Sequence, residues 1–371
     1  MLGAMVCTLV FLMLILQMAS VGSQTSKSIL PTPSGPHHVG TRLLKPLVDK
    51  SRPDPRFPKG FRTIPVQLWY PTSVKDGARS LYFPDSQLLE TLKANSSAPD
   101  VVESWRALRT DAIQDAAMER GKFPLIIFSP GFDMAREYYT SWAEEFASQG
   151  FVVATVDHPF AGVTRIDGTT FTATPNPKGP REQTGQMATD VSFVLGVLLH
   201  EHGVDKRKIA AVGHSIGGAA ALDACRVDMR IGACVNLDGD PSFGTFQVTG
   251  VGRTFLVIHQ KPAFPDSKPD GELATMGRKI DAAWQEVIGK QSAPAIRLMV
   301  LGTGHLSFSD ALFTRPDLVK EGGGVLTDPL LVLHGTTEVI VSYLRNSFNG
   351  HPDVVSPLPE FIKPAKLGSS D

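Results

Sequence analysis

The stretch Ile209-Ala210-Ala211-Val212-Gly213-His214-Ser215-Ile216-Gly217-Gly218 limits the architecture open to this chain more than any other. An apolar run enters Gly213, turns at Ser215, and leaves through two glycines into alanine-rich sequence of helical character. A strand that turns into a helix so sharply brings backbone against backbone. A Cβ at Gly213 or Gly217 would strike the neighbouring main chain, and Ser215 at the apex is forced into strained φ/ψ with its hydroxyl facing a cleft. The helix starting at Ile216 aims its N-terminal dipole at the same point. The expectation is a serine nucleophile at the edge of an α/β sheet.

The flanking pattern supplies the rest of that sheet. Pro124–Phe128, Phe151–Val156, Lys208–Val212, Gly232–Leu237, Thr254–His259 and Ala295–Leu301 are short, nearly continuous apolar runs, as expected of parallel strands buried on both faces. Helical periodicity covers Tyr138–Ser148, Gln186–His200, Ile216–Asp228, about Gly277–Lys290 and Thr336–Phe348. Strands alternating with helices predict an α/β-hydrolase fold, with a mostly parallel central sheet and helices on both faces. Thr63–Tyr70 reads as one further strand stopped by Pro71. Residues 24–60 read as an extended amino-terminal arm, and 81–120 as an insertion near the site. With no internal repeat and no linker, 24–371 is expected to be one catalytic domain.

A serine hydroxyl needs a base, and the base needs an orienting carboxylate. In this fold they follow in the order serine, acid, histidine, on loops after successive strands. Asp238 directly follows the strand Gly232–Leu237, and Asp240 and Asp266 are the alternatives. His305, in Leu301-Gly302-Thr303-Gly304-His305, is the base; His334 reads as a packed or capping residue and His259 comes early in the order. The oxyanion donors are expected to be the N–H of Ile216, after the nucleophile, and that of Phe132 in Ser129-Pro130-Gly131-Phe132. His158 and Phe160, after the next strand, are expected to line the substrate pocket together with Phe132. This chemistry needs no cofactor or metal.

Val6–Met18 is almost uninterrupted apolar sequence, and no charged side chain occurs before Lys27. It is short for a bilayer span and has the length of a signal-peptide core, so residues 1–23 are expected to be a cleaved signal and the protein secreted, with an uncleaved membrane anchor as the alternative. Export leaves Cys225 and Cys234 as the mature chain's pair. Their spacing could join a helix end to the next strand by a disulfide, although two separate buried thiols are the favoured reading. Asn95-Ser96-Ser97 is a glycosylation sequon. The formal net charge of -1 gives no electrostatic case for nucleic acid. The expected partner is a small-molecule or lipid ester substrate, with at most transient contact with a lipid surface and no obligate protein partner. A serine peptidase, which would normally bring an amine-binding or propeller domain, and a non-catalytic binding protein on the same scaffold are the weaker readings.

Phe128-Ser129-Pro130-Gly131-Phe132, Gly213 to Gly218, Asn236-Leu237-Asp238 and Gly304-His305-Leu306-Ser307-Phe308-Ser309-Asp310 together resemble the plasma-type (isoform II) platelet-activating-factor acetylhydrolase family. Gly35-Pro36 to Gly40, Ser51-Arg52-Pro53-Asp54-Pro55 and Leu68-Trp69-Tyr70-Pro71 extend the resemblance over most of the mature chain. It implies removal of short or oxidised acyl chains from phospholipids without calcium, with general esterases, lactonases or polyester hydrolases as the alternative. The 23 residues from Ser215 to Asp238 agree with the family's placement of the acid, which favours Asp238 over Asp266. Phe132 stands at the family's oxyanion-loop position.

Overall fold

The computed structural model describes residues 30–261, 272–324 and 327–365; the expected leader and the alternative acid Asp266 lie outside the described residues. The chain enters on β1 (His38–Leu43), forms a ribbon of β2 (Leu47–Pro53) and β3 (Phe61–Ile64), and continues through β4 (Val66–Thr72), β5 (Arg79–Leu81) and β6 (Arg109–Gln114). The buried strands β7 (Phe123–Ser129) and β8 (Val152–Val156) follow, then a small hairpin of β9 (Thr164–Ile166) and β10 (Thr169–Phe171). Next come β11 (Val204–His214), β12 (Ala233–Leu237), β13 (Phe255–Lys261), β14 (Ala295–Leu301) and β15 (Ile362–Pro364).

The main sheet has the order β15-β14-β13-β12-β11-β7-β8-β4-β1-β6-β5. The block from β14 to β8 is parallel throughout, while β4 and β15 join it antiparallel. The apolar runs are explained by the layers. Leu125, Ile127 and Ala211 face a core shared with Val191 and Leu195 of the helix Pro180–Leu198 and with Ala219 and Leu222 of the helix Ile216–Val227. Ile126, Phe128, Ala210 and Val212 point the other way, against Trp142 and Phe146 of Thr140–Ser148 and Val339 and Leu344 of Pro329–Phe348. Alternate residues of a strand face opposite sides, so a strand covered on both must be apolar throughout. Each fully buried large apolar side chain contributes roughly 1.5–3 kcal/mol. This arrangement is the α/β-hydrolase fold.

Four expectations are corrected. Thr63–Tyr70 is not one strand: Pro65, which has no N–H, separates β3 from β4, and its carbonyl accepts the N–H of Asp157 at 3.0 Å. The segment 24–60 is not simply an arm, because β1 pairs with β4 inside the main sheet and β2 with β3 beside it. The 81–120 segment is partly sheet, since β6 pairs with β1. Cys225 and Cys234 are bonded to each other rather than separate thiols. Several helices also run longer than their periodicity suggested, starting at Pro180, Glu272 and Pro329. Among the described residues no helix is long and apolar enough to cross a membrane.

Candidate active site

Ser215 sits where β11 meets the helix Ile216–Val227, at the carboxyl edge of the parallel strands. Its φ of 57° and ψ of -129° lie in a region that a non-glycine residue rarely adopts. A Cβ on Gly213 would collide with the Gly217 carbonyl, and one on Gly217 with the carbonyls of Ser129 and Pro130. The glycines are therefore required by close backbone approach, both within the elbow and between the elbow and the end of β7. Ser215 N–H donates to Leu237 O at 2.8 Å, which ties the elbow to the adjacent strand.

His214 and Leu237 are register partners at the ends of β11 and β12, so Ser215 and Asp238 leave neighbouring strands side by side. Asp238 also has a positive φ, 54°, and its N–H is held by Ile258 O at 2.8 Å. Its Oδ1 accepts the Gln260 N–H at 3.1 Å, and its Oδ2 lies 2.6 Å from His305 Nδ1. A carboxylate only accepts, so His305 carries a proton on Nδ1 and turns Nε2 away from Asp238. The His305 side chain is one-third exposed, whereas Asp238 is 8% exposed: the carboxylate is sheltered and the imidazole more open.

The donors for a developing oxyanion follow from which N–H groups are already engaged. Gly131 N–H donates to Tyr139 Oη at 2.9 Å and Asp133 N–H to Ala161 O at 2.8 Å, which singles out Phe132 between them. In the elbow helix the N–H groups of Gly218 and Ala219 turn back to Ser215 O, so Ile216 lies in the unsatisfied first turn. The side chains of Phe132 and Ile216 meet in one apolar cluster with Ala161, Met187, Ala220 and Phe243.

His158 and Phe160 do not line this cluster. Both ring nitrogens of His158 are engaged in a buried network, at 2.9 Å from Asp190 and 3.1 Å from Ser129, and the residue is 2% exposed. Phe160 packs instead with Phe57, Ile166 and Phe171, under the Arg56 guanidinium 4.0 Å from its ring centre. Those positions follow the expected strand, but the His158 ring is taken up by Asp190 and Ser129 and the Phe160 ring by its aromatic neighbours. Asp240 caps the short turn Pro241–Phe243 through Ser242 N–H, and His334 faces Glu145, 3.6 Å away on the helix Thr140–Ser148. Asn95 is exposed after the helix Ser86–Ala94.

His214 and residues outside the motif complete the surroundings. Tyr139 Oη, having accepted from Gly131, lies 2.8 Å from His214 Nδ1, and His214 Nε2 lies 3.0 Å from the His305 carbonyl. A carbonyl cannot donate, so His214 is protonated on Nε2 and accepts the Tyr139 O–H on Nδ1. Burial first, and His305 nearby second, hold its pKa well below the ordinary imidazole value, which keeps this tautomer neutral. One chain of hydrogen bonds thus joins the Gly131–Phe132 turn to the His305 loop. His259, 3.9 Å from Asp238, accepts from Arg297 at 3.2 Å on Nε2; burial and the Arg297 charge lower its pKa to about 4. Position x of the G-x-S-x-G motif flagged His214, but nothing local flagged Tyr139, Met187 or Arg297. A surface cavity of about 570 Å³ lies elsewhere, between Leu43, Val66, Pro84 and Arg165, and is set apart from this chemistry. Among the described residues no cluster of His, Cys, Asp or Glu is arranged to hold a metal ion.

A family model described as platelet-activating factor acetylhydrolase, isoform II, matches residues 22–170. A probable 1-alkyl-2-acetylglycerophosphocholine esterase of Arthroderma benhamiae is 30% identical over 274 residues, covering 67% of this chain and 67% of that protein. The platelet-activating factor acetylhydrolases of Canis lupus familiaris and Cavia porcellus are 24% and 25% identical, over 47% and 56% of this chain. The matched segments span about half the length of those mammalian relatives, 49% and 55%. A ferulic acid esterase from Streptomyces cinnamoneus superposes with a TM-score of 0.76 at 26% identity, covering 92% of this chain and 100% of that one.

Proposed function

The chain belongs to the isoform II platelet-activating factor acetylhydrolase family, and on that premise we propose that it is a secreted hydrolase of short-acyl carboxylic esters using Ser215, His305 and Asp238. The observation that carries this reading is the 2.6 Å hydrogen bond between His305 and Asp238 on the loops beside the strained Ser215 elbow. Ser215 Oγ attacks the ester carbonyl while His305 Nε2 takes its proton, and Asp238 steadies the imidazolium. The carbonyl electron pair moves onto oxygen, where the N–H groups of Phe132 and Ile216 receive it. Collapse expels the alcohol with the proton from His305, and water then cleaves the acyl-enzyme by the same steps.

The acyl group would lie against Phe132, Ile216 and Met187. Two bulky side chains and a β-branched one leave room for acetyl to about butyryl, and each methylene that fits contributes up to about 0.8 kcal/mol. The bonded Cys225–Cys234 pair favours an oxidising compartment and so supports export. The alcohol half is a glycerophosphocholine in the name of the fungal relative, and the alternative substrates are general short-acyl esters, lactones or polyesters. Hydrolysis of p-nitrophenyl esters of graded chain length beside a short-acyl phospholipid tests this. Activity should peak at short acyl chains and disappear in Ser215→Ala; a flat profile out to palmitoyl would sink the short-acyl reading.

A further inference from the structure

Ser129 ends β7, just ahead of the turn that carries Phe132, and is fully buried. Its Oγ lies 3.1 Å from His158 Nε2, and His158 Nδ1 lies 2.9 Å from Asp190 Oδ2. Serine, histidine and aspartate are joined here in catalytic order, yet they are 0%, 2% and 0% exposed, so no ester can reach Ser129. This is not a second nucleophile.

Asp190 also accepts from Arg62 at 3.1 and 2.6 Å and from Arg52 at 2.7 Å. Burial by itself would raise the Asp190 pKa; the Arg62 charge and the hydrogen bonds from His158 and Arg62 outweigh it and hold the carboxyl well below its ordinary range. An ionised carboxylate only accepts, so His158 bears a proton on Nδ1 and turns Nε2 to the Ser129 hydroxyl. Arg62 donates in addition to Pro159 O at 3.1 Å, so one guanidinium fixes both the carboxylate and the residue after His158.

What this network holds is the main chain of the oxyanion loop. The absent Cβ of Gly217 is the space occupied by the Ser129 and Pro130 carbonyls, so the first turn of the elbow helix rests directly on these residues. A shift of Ser129 is therefore passed to Phe132 along the chain and to Ile216 across the contact. We propose that His158, held by Asp190 and Arg62, is a positioning residue that fixes both oxyanion donors through Ser129. The inference rests on the assignment of Phe132 and Ile216 under the proposed function. Its hydrogen bonds then matter in the transition state and not in substrate binding.

The test begins with Ser215→Ala: a fully active Ser215→Ala protein overturns the functional reading itself, whatever His158 does. With Ser215 in place, His158→Phe and Ser129→Ala cut the network, while His158→Gln keeps a donor for Asp190 and an acceptor for Ser129. On p-nitrophenyl butyrate kcat should fall about 30-fold in His158→Phe and about 5- to 10-fold in Ser129→Ala, less than the roughly 10²- to 10³-fold loss of an oxyanion donor itself. KM should stay within about threefold. A short-chain trifluoromethyl ketone, whose carbonyl carbon bonds Ser215 Oγ as its oxygen becomes the oxyanion and His305 takes the proton, should lose affinity by the same factor as kcat. His158→Gln should regain most of both. Should His158→Phe fail to fold, Ser129→Ala, lacking one oxygen, decides alone. Unchanged kcat in Ser129→Ala, a loss confined to KM, or a kcat loss without a matching loss of ketone affinity overturns the proposal.

Discussion

Ser215 combines a strained backbone with a side chain that carries the proposed chemistry, so its replacement separates the two. Ser215→Ala leaves the positive φ to be borne by another non-glycine residue and should fold, while ester hydrolysis falls by about 10³-fold or more. A variant keeping a tenth of wild-type kcat would remove Ser215 from the mechanism. Asp238→Asn should be nearly as damaging, because His305 Nδ1–H loses its ionised acceptor at 2.6 Å, whereas Asp266→Asn should be mild. Phe132 offers a second separation, since its N–H and its ring have different proposed tasks. Phe132→Ala keeps the donor and removes the ring from the cluster with Ile216 and Met187. The chain-length optimum on p-nitrophenyl esters should move to longer acyl groups; an unchanged profile would mean that the acyl chain lies elsewhere. Tyr139→Phe deletes one oxygen that both accepts from Gly131 and donates to His214. A loss of kcat of roughly tenfold at near-constant KM is expected, as for a support of the oxyanion loop and not a member of it.

At the scale of elements, the helix Ile216–Val227 and β12 form one unit. The helix begins after Ser215 and β12 ends before Asp238, and Cys225–Cys234 closes the far end of both. A disulfide closing a loop of this size stabilises by about 2–3 kcal/mol through the unfolded chain. The double replacement Cys225→Ala/Cys234→Ala should lower Tm by roughly 5 °C. Its kcat at 25 °C should stay close to wild type, because the bond lies at the end of each element away from the site. A large kcat loss in a variant still folded at that temperature would show that the bond also shapes the site. The two neighbouring ribbons work similarly at the rim: Arg62 of β3 pins Asp190, and Phe57 between β2 and β3 stacks on Phe171 of β10 with ring centres 5.0 Å apart.

Across the described residues of the whole molecule, burial outweighs the partners of Glu137 (Arg136), Asp310 (Ser141 N–H) and Glu144 (Ala112 N–H). Burial pushes Glu137 and Asp310 up to about 7 and Glu144 up to about 8. Unfolded, such groups ionise near 4, so between pH 4 and 8 the folded state holds more protons and stability falls as pH rises. His214 and His259, both lowered in the folded state, act oppositely, but only below the unfolded histidine value of about 6.5. From pH 6.5 to 8 the carboxyl groups act without that opposition. Thermal melts should show Tm declining over this interval, by an amount corresponding to roughly 1–2 kcal/mol for Glu144. Glu144→Gln, which retains an acceptor for the Ala112 N–H, should flatten the decline. An equal slope in that variant would exclude Glu144 as a source.

The sequence by itself determined what local geometry determines. Two-sided burial demands continuous apolar strands, so the parallel block from β7 to β14 was legible. A strand-to-helix elbow demands glycines on either side of the serine, so Ser215 was legible with it. The loop order then brought Asp238 and His305 forward as partners, and the structure joins these two by a hydrogen bond. Local rules could not say which way a side chain leaves a loop. His158 and Phe160 follow the correct strand, yet His158 is drawn inward by Asp190 and Ser129, and Phe160 is drawn aside by Phe57 and Phe171. The amino-terminal segment looked like an arm because its pairing partner, β4, lies beyond an intervening ribbon. The cysteine spacing could not decide the disulfide, because whether two sulfurs meet depends on how the helix returns to the sheet. Tyr139, Met187 and Asp190 carry no motif and join the site only through contacts far apart in sequence. Periodicity and steric limits act over a few residues and leave their mark on the chain itself; the pairing of buried polar groups is settled only when distant segments are packed together.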